Sequence, residues 1–347
     1  MPAAWEALAA LEIAWLSVVS HHPLLQECSK IMWAHNLDLE FVRVTEATAL
    51  ASARLMGRGD EAAAQKAAVT TMHDLLSRGP LRCRVVVGEG EPGQVSSLAN
   101  GEILGDSDEA GADVALDALE GTNICASGRP NSISVIAVTE LGGFLATPDV
   151  YMEKIAVGPK AKGTIDLSLS PTENLQRIAE ALQCYVEDLT VVVLDRPRHE
   201  RLIKEIREAG AKLRLIGDGD LSAAIAAAVK DSGIDVLMGI GGAAQGLLAA
   251  AALKGMNGDM QGRFLARSEA EHAKVQRLGL RDVHQILAID DLVPGRDALF
   301  VATGITDGDV LKGVRLSGKG ATTHSLAIRC HTGTIRFIQT EHRLLPA

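Results

Sequence analysis

From about Leu37 onward the alternation of apolar and polar positions has a regular grammar. Val44 to Met56 is Ala-rich and helix-forming, with Thr45 as its candidate cap, and Gly57-Arg58-Gly59-Asp60 stops it. A second helix follows, with Val69, Met72, Leu75 and Leu76 on one face. Arg84 to Val87 reads as a buried strand running into the tight loop Gly88-Glu89-Gly90-Glu91. Asp113-Val114-Ala115-Leu116-Asp117 is a short apolar strand flanked by carboxylates, and Leu119-Glu120-Gly121-Thr122 comes next. Ser132 to Val138 alternates towards another strand.

The second half repeats a strand–loop–helix rhythm. Strands are expected at Leu189–Leu194, Leu213–Ile216 and Asp235–Met238, with helices beginning near Glu200, Leu221 and Ala244. Successive βα units on this spacing imply a parallel sheet with right-handed crossovers. The intervening loops are Asp195-Arg196-Pro197-Arg198-His199, Gly217-Asp218-Gly219-Asp220 and Gly239-Ile240-Gly241-Gly242. Ligands collect at such loops, outside the carboxyl ends of the strands. Leu299 to Arg343 alternates between turn glycines, as a strand-rich closing element would.

The first 36 residues differ. They hold all three tryptophans (Trp5, Trp15, Trp33), and no Lys or Arg precedes Lys30. The apolar run Ile13 to Val19 is too short to span a bilayer, and a basic n-region is missing. Residues 1–36 read as an extension that packs on a partner or on the body, or as an upstream start-site artefact. A chain of 347 residues exceeds the roughly 250–300 at which one core stops growing, so two subdomains are expected beyond it. We place them at residues 37–165, a metal- and phosphate-binding subdomain, and 166–347, a second α/β subdomain with substrate loops.

Charge narrows the function. Thirty-four Lys and Arg against 44 Asp and Glu leave −10, and aromatics are only 3%; both argue against a nucleic-acid binder. Five scattered cysteines without a C-x-x-C pair suit a reducing compartment, so a cytoplasmic location without membrane partners is expected. The ten histidines include no H-x-x-x-H zinc pattern.

The sharpest constellation is Asp117-Ala118-Leu119-Glu120-Gly121-Thr122. Two carboxylates and a hydroxyl at a strand end can hold a hard cation and orient a water, and backbone N–H groups in the turn can take a phosphate oxygen. Capping of a helix is the plainer alternative. Glu89 adds a carboxylate at a neighbouring strand end, and Arg196, Arg198 and His199 form a cationic loop suited to phosphate. Two look-alikes rank far behind. Gly239 to Ala244 fits the dinucleotide pattern G-x-G-x-x-A but lacks its acidic partner. Gly313 to Lys319 reads G-x-x-x-x-G-K, but Gly320 replaces the Ser or Thr, so a hairpin turn is expected.

Together these residues resemble the class II fructose-1,6-bisphosphatases, including the dual fructose-1,6-/sedoheptulose-1,7-bisphosphatases of photosynthetic bacteria. The resemblance runs from about Asn36 to His342. It rests on Val44-Thr45-Glu46, Gly57-Arg58-Gly59-Asp60, Gly88-Glu89-Gly90-Glu91, Tyr151-Met152-Glu153-Lys154, Asp195 to His199, Asp218-Gly219-Asp220, Gly239 to Gly242 and Ala302 to Thr306. It implies the layered αβαβα sandwich of the metal-dependent, lithium-sensitive sugar phosphatases. By resemblance, Glu89, Asp117 and Glu120 are metal ligands for Mg2+ or Mn2+, and Thr122 helps activate the attacking water. Glu120, Gly121, Thr122, Tyr151, Arg196, Pro197, Arg198, Asp218, Gly219, Asp220 and Gly242 match substrate contacts. The implied role is a fructose-1,6-bisphosphatase in gluconeogenesis or the Calvin cycle, working as a homo-oligomer (dimer or tetramer).

Departures cluster at the chemistry. Gln65 and Gln245 stand where the family has metal-binding Asp and Glu, Glu61 where it has Lys, and Ala118 and Ala244 where it has Pro. Neutral amides suit a hard divalent cation much less than carboxylates do. The leading expectation is a sugar bisphosphatase with a depleted metal site and impaired activity. The alternative is a catalytically inactive paralogue acting as a binding or assembly subunit.

Overall fold

A computed structural model describes residues 23–106, 111–280, 282, 284–318 and 320–343. The chain divides into two compact units, Met1–Phe41 and Val42–Ala347. Of the first unit the backbone is described from Pro23, as helix, and side chains from Asp38, so what residues 1–22 and the side chains of residues 23–37 pack on falls outside the described residues. Helix α1 covers Pro23–Ala53, much longer than the Val44–Met56 segment expected. Neither Gly nor Pro occurs between Leu24 and Met56, so nothing in the chain interrupts it. Thr45 is consequently no cap: it lies mid-helix, where its Oγ1 donates to the Val42 carbonyl (3.0 Å) and meets Thr303 Oγ1 (2.8 Å). Asp60 instead caps the next helix, α2 (Glu61–Ser77), accepting from the Ala63 N–H at 2.9 Å.

In the second unit two mixed sheets form the frame. The first joins β1 (Cys83–Val87), β2 (Ile103–Leu104), β3 (Ala112–Glu120), β4 (Ile133–Thr139), β11 (Leu299–Gly304), β12 (Arg315–Ser317), β13 (Gly320–Arg329) and β14 (Thr334–Arg343). Its order is β12-β13-β11-β4-β3-β1-β2, with β14 also on β13. The closing segment from Leu299 is strand-rich, as its alternation predicts. β4 is buried at every residue, because both faces of this sheet are covered.

The second sheet takes β5 (Tyr151–Val157), β6 (Thr190–Leu194), β7 (Lys212–Ile216), β8 (Val236–Gly242), β9 (Asp259–Leu265) and β10 (Leu287–Ala288) in the order β10-β9-β5-β8-β6-β7. Only β6 with β7 and β8 is parallel. The expectation of a parallel sheet therefore holds for those three strands alone. β5 is inserted antiparallel between β8 and β9, an arrangement that strand spacing does not encode.

Between the sheets runs α7 (Ala243–Gly255), which touches strands of both. Its small residues allow this close approach: a Cβ at Gly246 would come within 2.5 Å of Met152 Sδ. Leu247, Leu248 and Leu253 are fully buried there, each worth about 1.5–3 kcal/mol of apolar burial. On the far face of the second sheet, α4 (Pro171–Leu182) and α5 (Glu200–Glu208) bury Leu175, Ile178 and Ile206 against Ile155, Val191 and Val193. Helix α2 packs against β3.

Candidate active site

Five strand ends converge. β1 and β3 run parallel, so the loops after them open on the same side of the first sheet. In the second sheet, β6, β7 and β8 do likewise. A cavity of about 460 Å³ lies where these loops meet. It is lined by Gln65, Glu89, Asp117, Glu120, Gly121, Thr122, Tyr151, Arg196, Arg198, Asp218, Asp220, Gly242 and Gln245. Pro197 and Gly219 do not line it. They shape the turns, Pro197 opening a short 3₁₀ turn and Gly219 (φ +86°) preceding α6 (Asp220–Ala226).

Local geometry explains each position. Pairing of β3 with β4 shifts register between Asp117 and Glu120, a bulge that re-aims the end of the strand. Gly121 follows at φ +77°, a conformation glycine adopts without strain, and places Thr122 at the start of α3 (Thr122–Ser127). Gly88 admits no side chain, since a Cβ would lie 2.1 Å from the Leu98 carbonyl, and this close approach directs Glu89 inward.

Hydrogen bonds then join the two halves of the acidic cluster. Glu89 Oε2 accepts from Gln65 Nε2 (2.5 Å), and Glu89 Oε1 from the Ala118 N–H (3.0 Å). Gln65 Oε1 accepts from Thr122 Oγ1 (2.9 Å). Asp117 Oδ2 accepts from Gln245 Nε2 (2.8 Å). Glu120 is buried, and its Oε2 has no hydrogen-bond partner. Burial, followed by the Glu89 charge, pushes the Asp117 carboxyl up to about 7. Burial and then Asp117 drive Glu120 well above the ordinary carboxylate range, against the pull of Lys154. Burial also raises Glu89 and Asp218. The Asp117 carboxyl thus sits near the point of taking or releasing a proton at neutral pH.

Do these groups fit a divalent cation? Among the described residues no group of three or more His, Cys, Asp or Glu side chains is arranged to hold one. The donor set gives the reason. Both Glu89 oxygens and Asp117 Oδ2 already accept N–H bonds, two of them from the amides that replace carboxylates. Glu120 Oε2 has no hydrogen-bond partner among the described residues, but the two positions that would join it with carboxylates carry Gln65 and Gln245, whose nitrogens hold Glu89 and Asp117 instead. As arranged, the residues do not fit the metal. Glu61 lies away from this chemistry: it is exposed, lies outside the cavity lining and accepts from Asn123 Nδ2 (2.6 Å).

Two contributors, Lys154 and Arg267, escaped the sequence reading, and a third residue, His199, takes a different role from the one expected. Lys154 is buried, 2.6 Å from Asp220 Oδ2, and donates to the Gly242 carbonyl (3.1 Å). A lone cation in an apolar strand was its available signal. His199 is buried against β8, not part of the phosphate grip. One ring nitrogen, Nδ1, meets the Leu194 carbonyl (2.7 Å), and Nε2 accepts from the Ile240 N–H (2.8 Å). β6 and β8 pair only at Val191–Val236 and Val192–Leu237, so the imidazole continues the ladder where the strands part. Arg198 holds the same residue through its carbonyl, donating to Ile240 O (2.7 Å). Arg267 stacks 3.7 Å from the centre of the Tyr151 ring.

The look-alike loops resolve as well. In Gly239 to Gly242 the missing side chains make room for His199, Asp220 and Gln245, not for a pyrophosphate. From Gly313 to Gly318 the stretch runs through β12, which pairs antiparallel with β13, a hairpin as expected.

The mixed α/β framework thus brings Glu89, Asp117 and Glu120 at one set of strand ends to the same cavity as Arg196, Arg198, Asp218 and Asp220 at the other. The chain belongs to the family described as bacterial fructose-1,6-bisphosphatase, glpX-encoded, whose family model matches residues 35–342. It is 42% identical to the D-fructose 1,6-bisphosphatase class 2/sedoheptulose 1,7-bisphosphatase of Synechococcus sp. (strain JA-3-3Ab), with 89% of this chain and 96% of that protein covered. It is 41% identical to the enzyme of the same name from Synechococcus elongatus (strain ATCC 33912 / PCC 7942 / FACHB-805), covering 88% and 96%.

Proposed function

We propose that the chain binds fructose-1,6-bisphosphate or sedoheptulose-1,7-bisphosphate and removes the 1-phosphate slowly. The observation that carries this reading is one cavity joining Asp117, Glu120 and Thr122 to Arg196 and Arg198. The arginines hold phosphate oxygens, as guanidinium forks do. Asp117 accepts a proton from the attacking water, whose oxygen bonds to phosphorus as the bond to the sugar oxygen breaks. Thr122, held by Gln65, orients that water. The released sugar oxygen takes up a proton, leaving sugar monophosphate and inorganic phosphate. The resemblance implies Mg2+ or Mn2+, which these groups match poorly, and for that reason the proposed turnover is slow. The packing of α7 between the sheets supports the αβαβα layering. Residues 37–165 supply the acids, and 166–347 most of the substrate loops. A cytoplasmic homo-oligomer (dimer or tetramer) in gluconeogenesis or the Calvin cycle follows from the resemblance alone.

The hydrogen bonds from Gln65 and Gln245 favour a second reading, an inactive paralogue that binds the sugar bisphosphate as a binding or assembly subunit. Phosphate release from both bisphosphates, with and without Mg2+ or Mn2+, separates the two. Slow release supports the first reading, and binding with no release supports the second. Absence of binding refutes both.

A further inference from the structure

Arg267 follows β9 on the connection to α8 (Glu269–Gln276) and is exposed. Its guanidinium carbon lies 3.7 Å from the centre of the Tyr151 ring, and that of Arg198 lies 5.0 Å from the same ring. Tyr151 and Arg198 line the cavity, as does Arg196. Burial and then the nearby Arg196 and Arg267 charges hold the Arg198 guanidinium below its ordinary value, so the three cations repel one another.

Their partners make the arrangement informative. Arg84, Arg214, Arg263, Arg315 and Arg329 each form an ion pair with a carboxylate. Arg196 and Arg198 instead meet backbone carbonyls, of Asp195 and Ile240. The Glu271 carboxylate beside Arg267 is taken by that residue's own backbone N–H (2.6 Å). Asp218 and Asp220 act on Arg196 and Arg198 from beyond ion-pairing distance, and like charges gathered with no ion pair of their own among the described residues suit a polyanion from outside.

We propose that Arg267 is a specificity-determining residue that binds the distal phosphate of the sugar bisphosphate, the one not cleaved. The assignment rests on the proposed function, in which the 1-phosphate occupies the Asp117–Thr122 end. The Tyr151 ring fixes the guanidinium in place, so its donors face the anion with little loss of side-chain freedom. A sugar carrying only the 1-phosphate does not reach this position.

The test is calorimetric binding of fructose-1,6-bisphosphate, fructose-1-phosphate and inorganic phosphate to the parent, Arg267→Ala and Arg267→Lys, with melting temperatures as a folding control. Arg267→Ala should weaken bisphosphate binding about tenfold, the loss of one charge-assisted phosphate contact. Fructose-1-phosphate binding should not change, and Arg267→Lys should fall between parent and Ala. An unchanged bisphosphate affinity, or an equal loss for the 1-phosphate, overturns the assignment while the proposed function stands. If inorganic phosphate binding alone responds to the substitution, the site is an anion site unrelated to the sugar, and the assignment fails. A parent that binds neither sugar ester overturns both.

Discussion

Returning carboxylates to the two amide positions tests the site most directly. In Gln65→Asp/Gln245→Glu, the Gln245 Nε2 bond to Asp117 (2.8 Å) and the Gln65 Nε2 bond to Glu89 (2.5 Å) are both lost. A hydrogen bond to a charged group is worth about 1.5–3 kcal/mol, so the two together come to roughly 3–6 kcal/mol. New carboxylates also face Asp117 and Glu89, whose burial already disfavours their charge. For a chain of this size each kcal/mol moves the melting temperature by about 2 °C, so in EDTA the double variant should melt about 6–12 °C below the parent. The same carboxylates supply the oxygens a divalent cation needs. At a Mg2+ concentration one hundredfold above Kd, binding returns about 2.7 kcal/mol, or about 5 °C. Differential scanning fluorimetry of both proteins in EDTA, Mg2+ and Mn2+ reads this, with phosphate release measured in parallel. The parent should show little shift with metal. A parent whose melting temperature rises with Mg2+ as far as that of the double variant would refute the reasoning, since the amides would then be adequate for metal binding.

Other consequences are equally open to measurement. Asp117→Asn should abolish phosphate release. Because the Asp117 carboxyl is raised from 3.8 to about 7 in the folded chain, its ionisation destabilises the protein in full above pH 7, and this penalty fades towards pH 4. The variant should therefore melt above the parent at pH 8 and level with it near pH 4, and the reverse order would contradict the assignment. His199→Phe removes the bonds to Leu194 and Ile240. It should speed amide exchange at Ile240 about tenfold and weaken bisphosphate binding, whereas unchanged exchange would rule out the clamp. Gly241→Ala puts a Cβ 2.0 Å from Asp220 Oδ2 and 3.0 Å from Lys154 Nζ, displacing a buried ion pair. A loss of about 3–5 kcal/mol is expected on urea unfolding, and a loss below about 0.5 would show that the pair relaxes freely.

Much of this molecule could be read one residue at a time. Strand ends at Val87, Leu194 and Ile216, the glycines after Val87 and Ile216, and the carboxylates Glu89, Asp117 and Glu120 follow local rules. Apolar runs make strands, and glycine or a charge ends them. The hairpin at Gly313–Lys319 was legible for the same reason. The cationic loop marked the arginines, and family motifs added the two telling amides, because those are matters of residue identity.

Other features arose only from contacts between distant segments. Helix α1 outran its expected start, since a run without breakers extends as far as tertiary packing permits. The antiparallel insertion of β5 depends on which strand edges are left free, and no spacing records that. Whether a carboxylate meets a cation, an amide or a guanidinium depends on the folded neighbourhood. Gln65 and Gln245 could be read as losses, but their hydrogen bonds to Glu89 and Asp117 join positions 24 and 128 residues apart in the chain. Glu61, grouped with the departures at the chemistry, instead binds Asn123 outside the cavity. Lys154, His199 and Arg267 owe their places to the same cause: residue type sets what a side chain can bind, and packing sets what it meets.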